Sequence, residues 1–178
     1  MFQLNQPDPV KIFVGALWSH KENWHTALGQ LEEMYGTCDL RREPGAFTQT
    51  DYYLPEMGPE LNREFVSFPK LQSPADLSSF KLTTNRIEKD FCNDGKRTVN
   101  IDIGYLDLHK VILASTKPAP QKIYLQDGIW ADLTMMFHRG DFHGFTWTFP
   151  DFKAGQYNDF LNDLRELYKK DLRRLQDS

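Results

Sequence analysis

Two dipeptides near the end of the chain constrain the fold more than any other feature of the sequence. Asp127-Gly128 and Arg139-Gly140 divide residues 121–149 into runs that are rich in strand-forming residues. Two-residue turns with glycine in second place join antiparallel neighbours, because parallel strands need a long crossover between them. The segment therefore predicts three consecutive antiparallel strands.

Three other segments carry apolar residues at helical spacing. The first follows a capping-box pattern, Ser19 with Glu22, and ends near Gly36. The second follows Ser73, whose place before a proline is typical of a helix N-cap. The third begins at about Gly155 and runs close to the end of the chain with one apolar stripe. The sequence therefore predicts two long helices and a C-terminal helix.

The remaining strands are predicted by short β-type runs bounded by turn signals, at residues 10–18, 39–50, 61–68 and 97–105. Residues 107–115 fit either a short helix that begins at Asp107 or another strand. Strands and helices therefore alternate without the regular strand-helix-strand order of a parallel sheet.

The length and element order predict one domain. A chain of 178 residues buries roughly 70% of its unfolded surface, which suits a single core over residues 1–178. Residues 1–9, with two prolines, are expected to be a loose lead-in. We expect an α+β sandwich: a mixed, largely antiparallel sheet, with two long helices and a C-terminal helix packed mainly on one face.

The charge and the cysteines narrow the range of partners. The net charge of the chain is −4, whereas proteins that bind nucleic acid usually carry an excess of positive charge that releases counterions from the phosphates. We therefore do not expect nucleic acid as a partner. No apolar run approaches the length of a membrane span, and no signal-peptide pattern follows Met1. Cys38 and Cys92 match no metal-binding or disulfide spacing, which favours reduced thiols. We therefore expect a cytoplasmic protein without a membrane partner.

Polar residues interrupt the strand predicted at residues 97–105. Asn100 and Asp102 alternate with apolar neighbours and therefore share one face of that strand. Asp132 lies in a later predicted strand and can share the same cleft. Two facing carboxylates can bind Mg²⁺, so Asp102 and Asp132 are candidate metal ligands. The alternative is that one face of the sheet is simply solvated.

Lysine and tyrosine side chains close to these strands can pair with a phosphate or orient a ligand. The candidates are Tyr105, Lys110, Lys117, Lys122 and Tyr124. The chain lacks the glycine-rich phosphate-binding motifs and the nucleophile and zinc motifs of common enzymes. Whether a reaction is catalysed therefore stays open.

A loop at residues 50–58 is longer than a minimal hairpin needs, and such loops often carry function. Its candidate ligand residues are Asp51, Tyr52 and Glu56. The alternative is that its two tyrosines form an apolar plug over the core. Asp151 follows a strand-breaking proline, and we predict a structural role for it, as a helix cap.

The segments "TDYYLPEMG", "RTVNIDIGYL" and "IYLQDGIWAD", in this order, resemble a bacterial family catalogued as domain of unknown function 4416. The resemblance covers nearly the whole chain. The central family motif reads N-x-D-P-G-Y-L. Asn100, Asp102, Gly104 and Tyr105 match it, whereas Ile103 stands where proline is usual.

The resemblance implies that the polar interruptions belong to segments that define the family, which favours a shared site. Members are sometimes labelled GTP-binding, although neither a P-loop nor an NKxD-type motif is present in this chain. Our first hypothesis is a protein that binds or acts on a nucleotide-like or phosphorylated small molecule, with or without Mg²⁺. The second is a non-catalytic interaction module, as a homodimer that uses the aromatic segment 143–152 or an exposed sheet edge.

Overall fold

The computed structural model describes residues 4–50 and 52–177. In chain order the elements are β1 (Lys11–Trp18), α1 (Lys21–Tyr35), β2 (Leu40–Ala46), α2 (Leu54–Met57), β3 (Asn62–Ser67), a 3-10 turn (Pro74–Asp76), α3 (Leu77–Asp90), β4 (Cys92–Asn93), β5 (Lys96–Arg97), β6 (Val99–Leu106), β7 (Lys110–Ser115), β8 (Ile123–Gln126), β9 (Ile129–His138), β10 (Asp141–Gly144), α4 (Pro150–Lys153) and α5 (Asn158–Gln176).

The strands form one large antiparallel sheet in the order β10-β9-β7-β6-β1-β3-β2, with β8 beside the first residues of β9. Strands β4 and β5 form a separate hairpin. Every strand pairing among the described residues is antiparallel. The predicted α+β class with a largely antiparallel sheet is therefore confirmed.

Three hairpins turn through two residues that both have positive φ, as type I′ turns require. These residues are Asp94-Gly95, Asp127-Gly128 and Arg139-Gly140. The last two join β8 to β9 and β9 to β10, so the predicted run of three antiparallel strands is confirmed.

Helices cover both faces of the sheet, whereas the sequence prediction placed them mainly on one face. Helices α1 and α3 pack with β1, β3 and β6 in the larger apolar core, which includes Trp24 and Ile101. Helices α4 and α5 pack on the opposite face around Phe13, Phe65 and Phe160. Strands covered on both faces are apolar on both, which is why the central strands read as nearly continuous apolar runs. No helix among the described residues is long and apolar enough to cross a membrane.

Residues 107–115 form a turn and strand β7, so the helix option for this segment is wrong. The Asp107 carboxylate accepts hydrogen bonds from the backbone N–H groups of His109, at 2.7 Å, and Lys110, at 2.8 Å, and so stabilises the turn. Val111 and Ile112 are both buried, in the cores on opposite faces of the sheet. Burial on both faces explains the unbroken apolar run. Such a run shows neither helical nor strand spacing of its apolar residues, so the sequence could not distinguish the two.

The two predicted helix caps have opposite outcomes. Helix α1 has His20 at its N-cap without a side-chain cap, so the predicted capping box at Ser19 is wrong. The Ser19 hydroxyl instead lies 3.1 Å from His20 Nδ1. The Ser73 cap is confirmed, because its hydroxyl accepts a hydrogen bond of 3.2 Å from the backbone N–H of Ala75.

Candidate functional site

A group of polar and charged side chains lies on the sheet face that α4 and α5 partly cover. We call it the polar cluster, and it consists of Arg63, Asn100, Asp102, Lys122, Asp132 and Asp151. These residues come from β3, β6, β9, α4 and the segment before β8, so the cluster exists only in the folded sheet.

The strand register determines where the two predicted metal ligands lie. Gly104 pairs with Leu113, and Leu113 pairs with Asp132, so all three share one face of the sheet. Asp102 is two residues from Gly104 and therefore lies on that face too. Strand β7 separates Asp102 from Asp132 by two strand spacings, roughly 10 Å. The structure thus places both carboxylates on one face but does not bring them together.

Arg63 is a buried cation of the polar cluster. Its guanidinium lies 3.4 Å from Asp102 Oδ2 and 3.3 Å from Asp151 Oδ2. Three aromatic rings surround it, with the guanidinium carbon 5.0–5.7 Å from their centroids: Phe47, Phe65 and Tyr157. Burial alone would lower the pKa of Arg63, but the carboxylates and the tyrosine raise it overall, so Arg63 stays charged.

Asp151 joins α4 to the polar cluster. Its carboxylate accepts a hydrogen bond of 2.8 Å from the Tyr157 hydroxyl and one of 3.0 Å from the backbone N–H of Phe152. Burial, followed by the charge of Asp151, raises the pKa of Tyr157 to about 12 against the opposing charge of Arg63. Asp151 lies inside the first turn of α4, whose N-cap is Phe149, so its prediction as a helix cap is wrong.

Lys122 links Asp132 to the end of β7. Its Nζ lies 3.4 Å from Asp132 Oδ2 and donates a hydrogen bond of 2.9 Å to Ser115 Oγ. Both ionic side chains are almost fully buried, with exposures of 10% for Lys122 and 9% for Asp132. A buried charge needs such a partner, because desolvation of an unpaired ion is costly.

Three buried side-chain atoms of the polar cluster have no hydrogen-bond partner among the described residues: Arg63 Nε, Asn100 Nδ2 and Asp132 Oδ1. The great majority of buried polar groups in proteins are hydrogen-bonded, so three exceptions on one sheet face call for an explanation. Trp18 Nε1 and Asn158 Oδ1 are also without partners, but neither belongs to the polar cluster. The cluster thus offers two donors and one acceptor to a further group.

The loop between β2 and β3 folds over this end of the sheet, and we call its described residues, 47–50 and 52–61, the flap. Phe47, Met57 and Leu61 form a small core with Leu17 of β1, and Tyr53 packs against it. Burial, followed by the nearby charge of Asp102, raises the pKa of the Tyr53 phenol. The apolar-plug interpretation therefore describes Tyr53, which also reaches the polar cluster.

Two polar contacts attach the flap to the rest of the chain. Glu56 accepts hydrogen bonds of 2.5 and 2.9 Å from Nε and Nη2 of Arg97. Lys117 Nζ lies 4.3 Å from the centre of the Tyr52 ring and donates to the Tyr52 hydroxyl. Three predicted candidates, Tyr52, Glu56 and Lys117, thus lie at the edge of the flap. Asp51, the fourth candidate in this region, lies outside the described residues.

Arg97 was missed by the sequence reasoning, yet it joins the flap to the polar cluster. Besides Glu56, it donates hydrogen bonds of 2.5 Å to Glu88 of α3 and 3.0 Å to Asn100 Oδ1. The Glu88 carboxylate also accepts the backbone N–H of Ile101 at 2.8 Å. Arg97 occurs in a two-residue strand with no periodic neighbours, so no local signal identifies it.

The other predicted ligand residues lie away from the polar cluster. Tyr105 faces the core with α1 and α3, and Lys110 forms an ion pair with Asp107 in the β6–β7 turn. Both line a separate cavity of about 280 Å³, together with Tyr168 of α5. Tyr124 lies on the exposed strand β8, with its ring 5.2 Å from that of Trp130. The predicted set is therefore divided among four places: the polar cluster, the edge of the flap, this cavity and strand β8.

The metal prediction for Asp102 and Asp132 stays a prediction. Each carboxylate already has a cationic neighbour, Arg63 for Asp102 and Lys122 for Asp132. Within residues 4–50 and 52–177, no three His, Cys, Asp or Glu side chains lie together as a metal-binding group.

Comparison with known proteins places the chain in a family. The family model described as a domain of unknown function, DUF4416, matches residues 8–168, which include the flap and the whole polar cluster. No curated protein and no solved structure matches the chain. The match covers most of the sequence, so the chain belongs to the DUF4416 family.

Proposed function

We propose that the protein binds a small phosphorylated or nucleotide-like molecule at the polar cluster, beneath the flap. The observation that carries this proposal is the group of three buried, unpartnered polar atoms, Arg63 Nε, Asn100 Nδ2 and Asp132 Oδ1. A ligand that carries donors and acceptors and is long enough to span the two strand spacings between β6 and β9 would satisfy all three and would offset their desolvation.

The residues around these atoms suit different parts of such a ligand. Lys117, exposed at the edge of the flap, would pair with phosphate. The exposed Tyr124 and the half-buried Trp130, two residues before Asp132, would provide a surface for a flat ring. A Mg²⁺ ion that enters with the phosphate would find Asp132 Oδ1, the unpartnered carboxylate oxygen.

Access to the polar cluster would require movement of the flap, because the three unpartnered atoms are buried. Tyr53 of the flap lies close to Asp102, and Arg97 connects the flap to Asn100. Ligand entry would therefore disturb the Glu56–Arg97 contact or the packing of Tyr53. Loops that close over a ligand in this way are common at binding sites.

We place this function in the cytosol. The support is that both cysteines, Cys38 and Cys92, are free and half-buried, which suits a reducing compartment. GTP is one candidate among the nucleotides, and no particular base is preferred by the geometry.

A thermal-shift screen against nucleotides and sugar phosphates, with and without Mg²⁺, tests this function. A ligand at a hundred times its Kd adds about 2.7 kcal/mol, and a domain of this size gains roughly 2–4 °C per kcal/mol. Asp132→Asn should abolish the shift. Asp127→Asn, which removes the same charge in an exposed turn, should leave it intact. A shift that survives Asp132→Asn would refute binding at the polar cluster.

A second proposal is a non-catalytic interaction module, as a homodimer. It is supported by exposed aromatics after β10: Trp147 is 43% exposed and Phe149 is 52% exposed. Phe145 and Trp147 stack in parallel with ring centres 4.6 Å apart, which forms a flat apolar surface. Sedimentation velocity of the wild type and of Trp147→Ser would test it, because a monomeric wild type would refute the homodimer.

A further inference from the structure

A cavity separate from the polar cluster lies between α3, the β4–β5 hairpin and the end of β7. Its volume is about 410 Å³, which falls within the range of small-molecule pockets. Its lining residues are Leu82, Asn85, Arg86, Glu88, Lys89, Cys92, Arg97 and Thr116. The predicted site residues are not among them, so the sequence reasoning did not anticipate this cavity.

Helix geometry explains why the polar side chains of α3 share this cavity. Leu82, Asn85, Arg86 and Lys89 are spaced by three or four residues along the helix and therefore form one stripe. Leu82 packs against the core, whereas Arg86 and Lys89 are exposed at the outer part of the stripe. The cavity therefore has an apolar side and a cationic mouth.

The charged side chains next to the cavity fall into a balanced group and an unbalanced group, and the balanced group contains Arg97. Arg97 is paired with Glu56 and Glu88, and Lys81 lies 3.6 Å from Glu88. Two carboxylates thus balance two cations in this group, of which Glu88 and Arg97 line the cavity, so the group as a whole is neutral.

The excess positive charge comes from Arg86 and Lys89 at the mouth of the cavity. Neither the Arg86 side chain nor the Lys89 side chain forms an ion pair or hydrogen bond with any other described residue. The cavity therefore carries about two excess positive charges, in a chain whose net charge is −4. Arg86, Lys89, Asn85 and Thr116 all bring hydrogen-bond donors to the same space.

We propose that this cavity binds the phosphate end of a small phosphorylated molecule. Arg86 would contribute its planar fork to the phosphate oxygens, and Lys89 would contribute a point charge. Thr116, which also lines the cavity, would donate its hydroxyl. The volume exceeds that of a single phosphate, so the site would accept a diphosphate or an attached organic part.

One residue, Arg97, connects the cavity to the polar cluster. Arg97 lines the cavity and donates to Asn100 of the polar cluster. The proposed anion site does not depend on ligand binding at the polar cluster, because Arg86 and Lys89 belong to the cavity alone. Either site can therefore be tested while the other is left intact.

Titration calorimetry with inorganic pyrophosphate at low ionic strength tests the proposal on the full chain. Arg86→Gln combined with Lys89→Gln should weaken binding by roughly tenfold or more, since two charge-assisted contacts with the anion are lost. The matched control is Lys170→Gln with Arg173→Gln, which makes the same charge change at the same spacing on exposed positions of α5. The control should bind as the wild type does.

Three results would overturn the proposal. The first is that the wild type does not bind pyrophosphate. The second is that both double variants lose affinity equally, which would show that net charge alone attracts the anion. The third is that Asp132→Asn abolishes binding while the Arg86 and Lys89 variant retains it, which would move the phosphate to the polar cluster. Circular dichroism of each variant would confirm that the surface changes leave the fold intact.

Discussion

Gly104 offers a direct test of how closely β6 and β7 pack. It lies in the middle of β6, between β1 and β7, and is paired with Phe13 and Leu113. A Cβ atom added at Gly104 would overlap the backbone carbonyl oxygen of Ile112 and lie 2.7 Å from Leu113 Cδ2. The oxygen belongs to the adjacent strand and cannot rotate away as a side chain can. Gly104→Ala must therefore displace β7 from β6.

The magnitude follows from the kind of atom that is overlapped. Extra methyl groups in a packed core cost about 1–3 kcal/mol when side chains can adjust. Because a backbone atom of the central sheet must move here, we expect Gly104→Ala to lose at least about 3 kcal/mol, the upper part of that range. The smaller conformational gain of alanine over glycine, about 0.5–1 kcal/mol, opposes this loss but does not cancel it. The expected fall in Tm is roughly 6–12 °C.

Urea denaturation followed by circular dichroism measures the effect, with Gly29→Ala as the control. Gly29 lies inside α1, and an added Cβ there would meet no atom within 4 Å outside its chain neighbours and the backbone of its own helix. That substitution should stabilise the protein by about 0.5–1 kcal/mol, because alanine is the better helix former. Equal stability of the two variants would refute the close approach of β7 to Gly104.

Two further predictions concern the flap and the polar cluster. Hydrogen bonding from Arg97 lowers the pKa of Glu56, so the contact is present above the usual glutamate range and is lost as the pH falls through the lowered pKa. Glu56→Gln should raise hydrogen exchange at residues 52–58 at neutral pH and remove this acid dependence; unchanged exchange would contradict the contact. Tyr157→Phe should cost about 1.5–3 kcal/mol at pH 7 in urea denaturation. The difference from wild type should narrow above pH 10, since the raised pKa of Tyr157 makes the wild type lose stability there; a constant gap would refute the buried phenol.

Features that depend on neighbouring residues could be predicted from the sequence. The turns at Asp127-Gly128 and Arg139-Gly140 were identified because the required positive φ values favour glycine in the second position. The Ser73 cap was identified because its partner, the N–H of Ala75, is two residues away. The shared face of Asn100 and Asp102 followed from strand alternation. In each case the interacting groups lie within a few residues of one another.

The candidate site was decided by tertiary structure. Arg63 and Asp151 are 88 residues apart in sequence, and Arg97 and Glu56 are 41 apart. Neither contact leaves a periodic or motif-like signal, so Arg63 and Arg97 were missed. Tyr105 was predicted as a ligand residue because it is only three residues from Asp102. Its side chain packs against the core on the other face of the sheet, so closeness in sequence was misleading here.

The difference between local signals and tertiary contacts also explains why segment 107–115 was ambiguous. Its apolar run suits a helix or a strand when it is considered alone, and only cover on both faces of the sheet selects the strand. The sequence by itself therefore determined the turns, the periodic helices and the alternating strand, because those depend on local backbone and side-chain geometry. Tertiary structure alone decided which charges meet, because strand order and the path of the flap bring distant residues together.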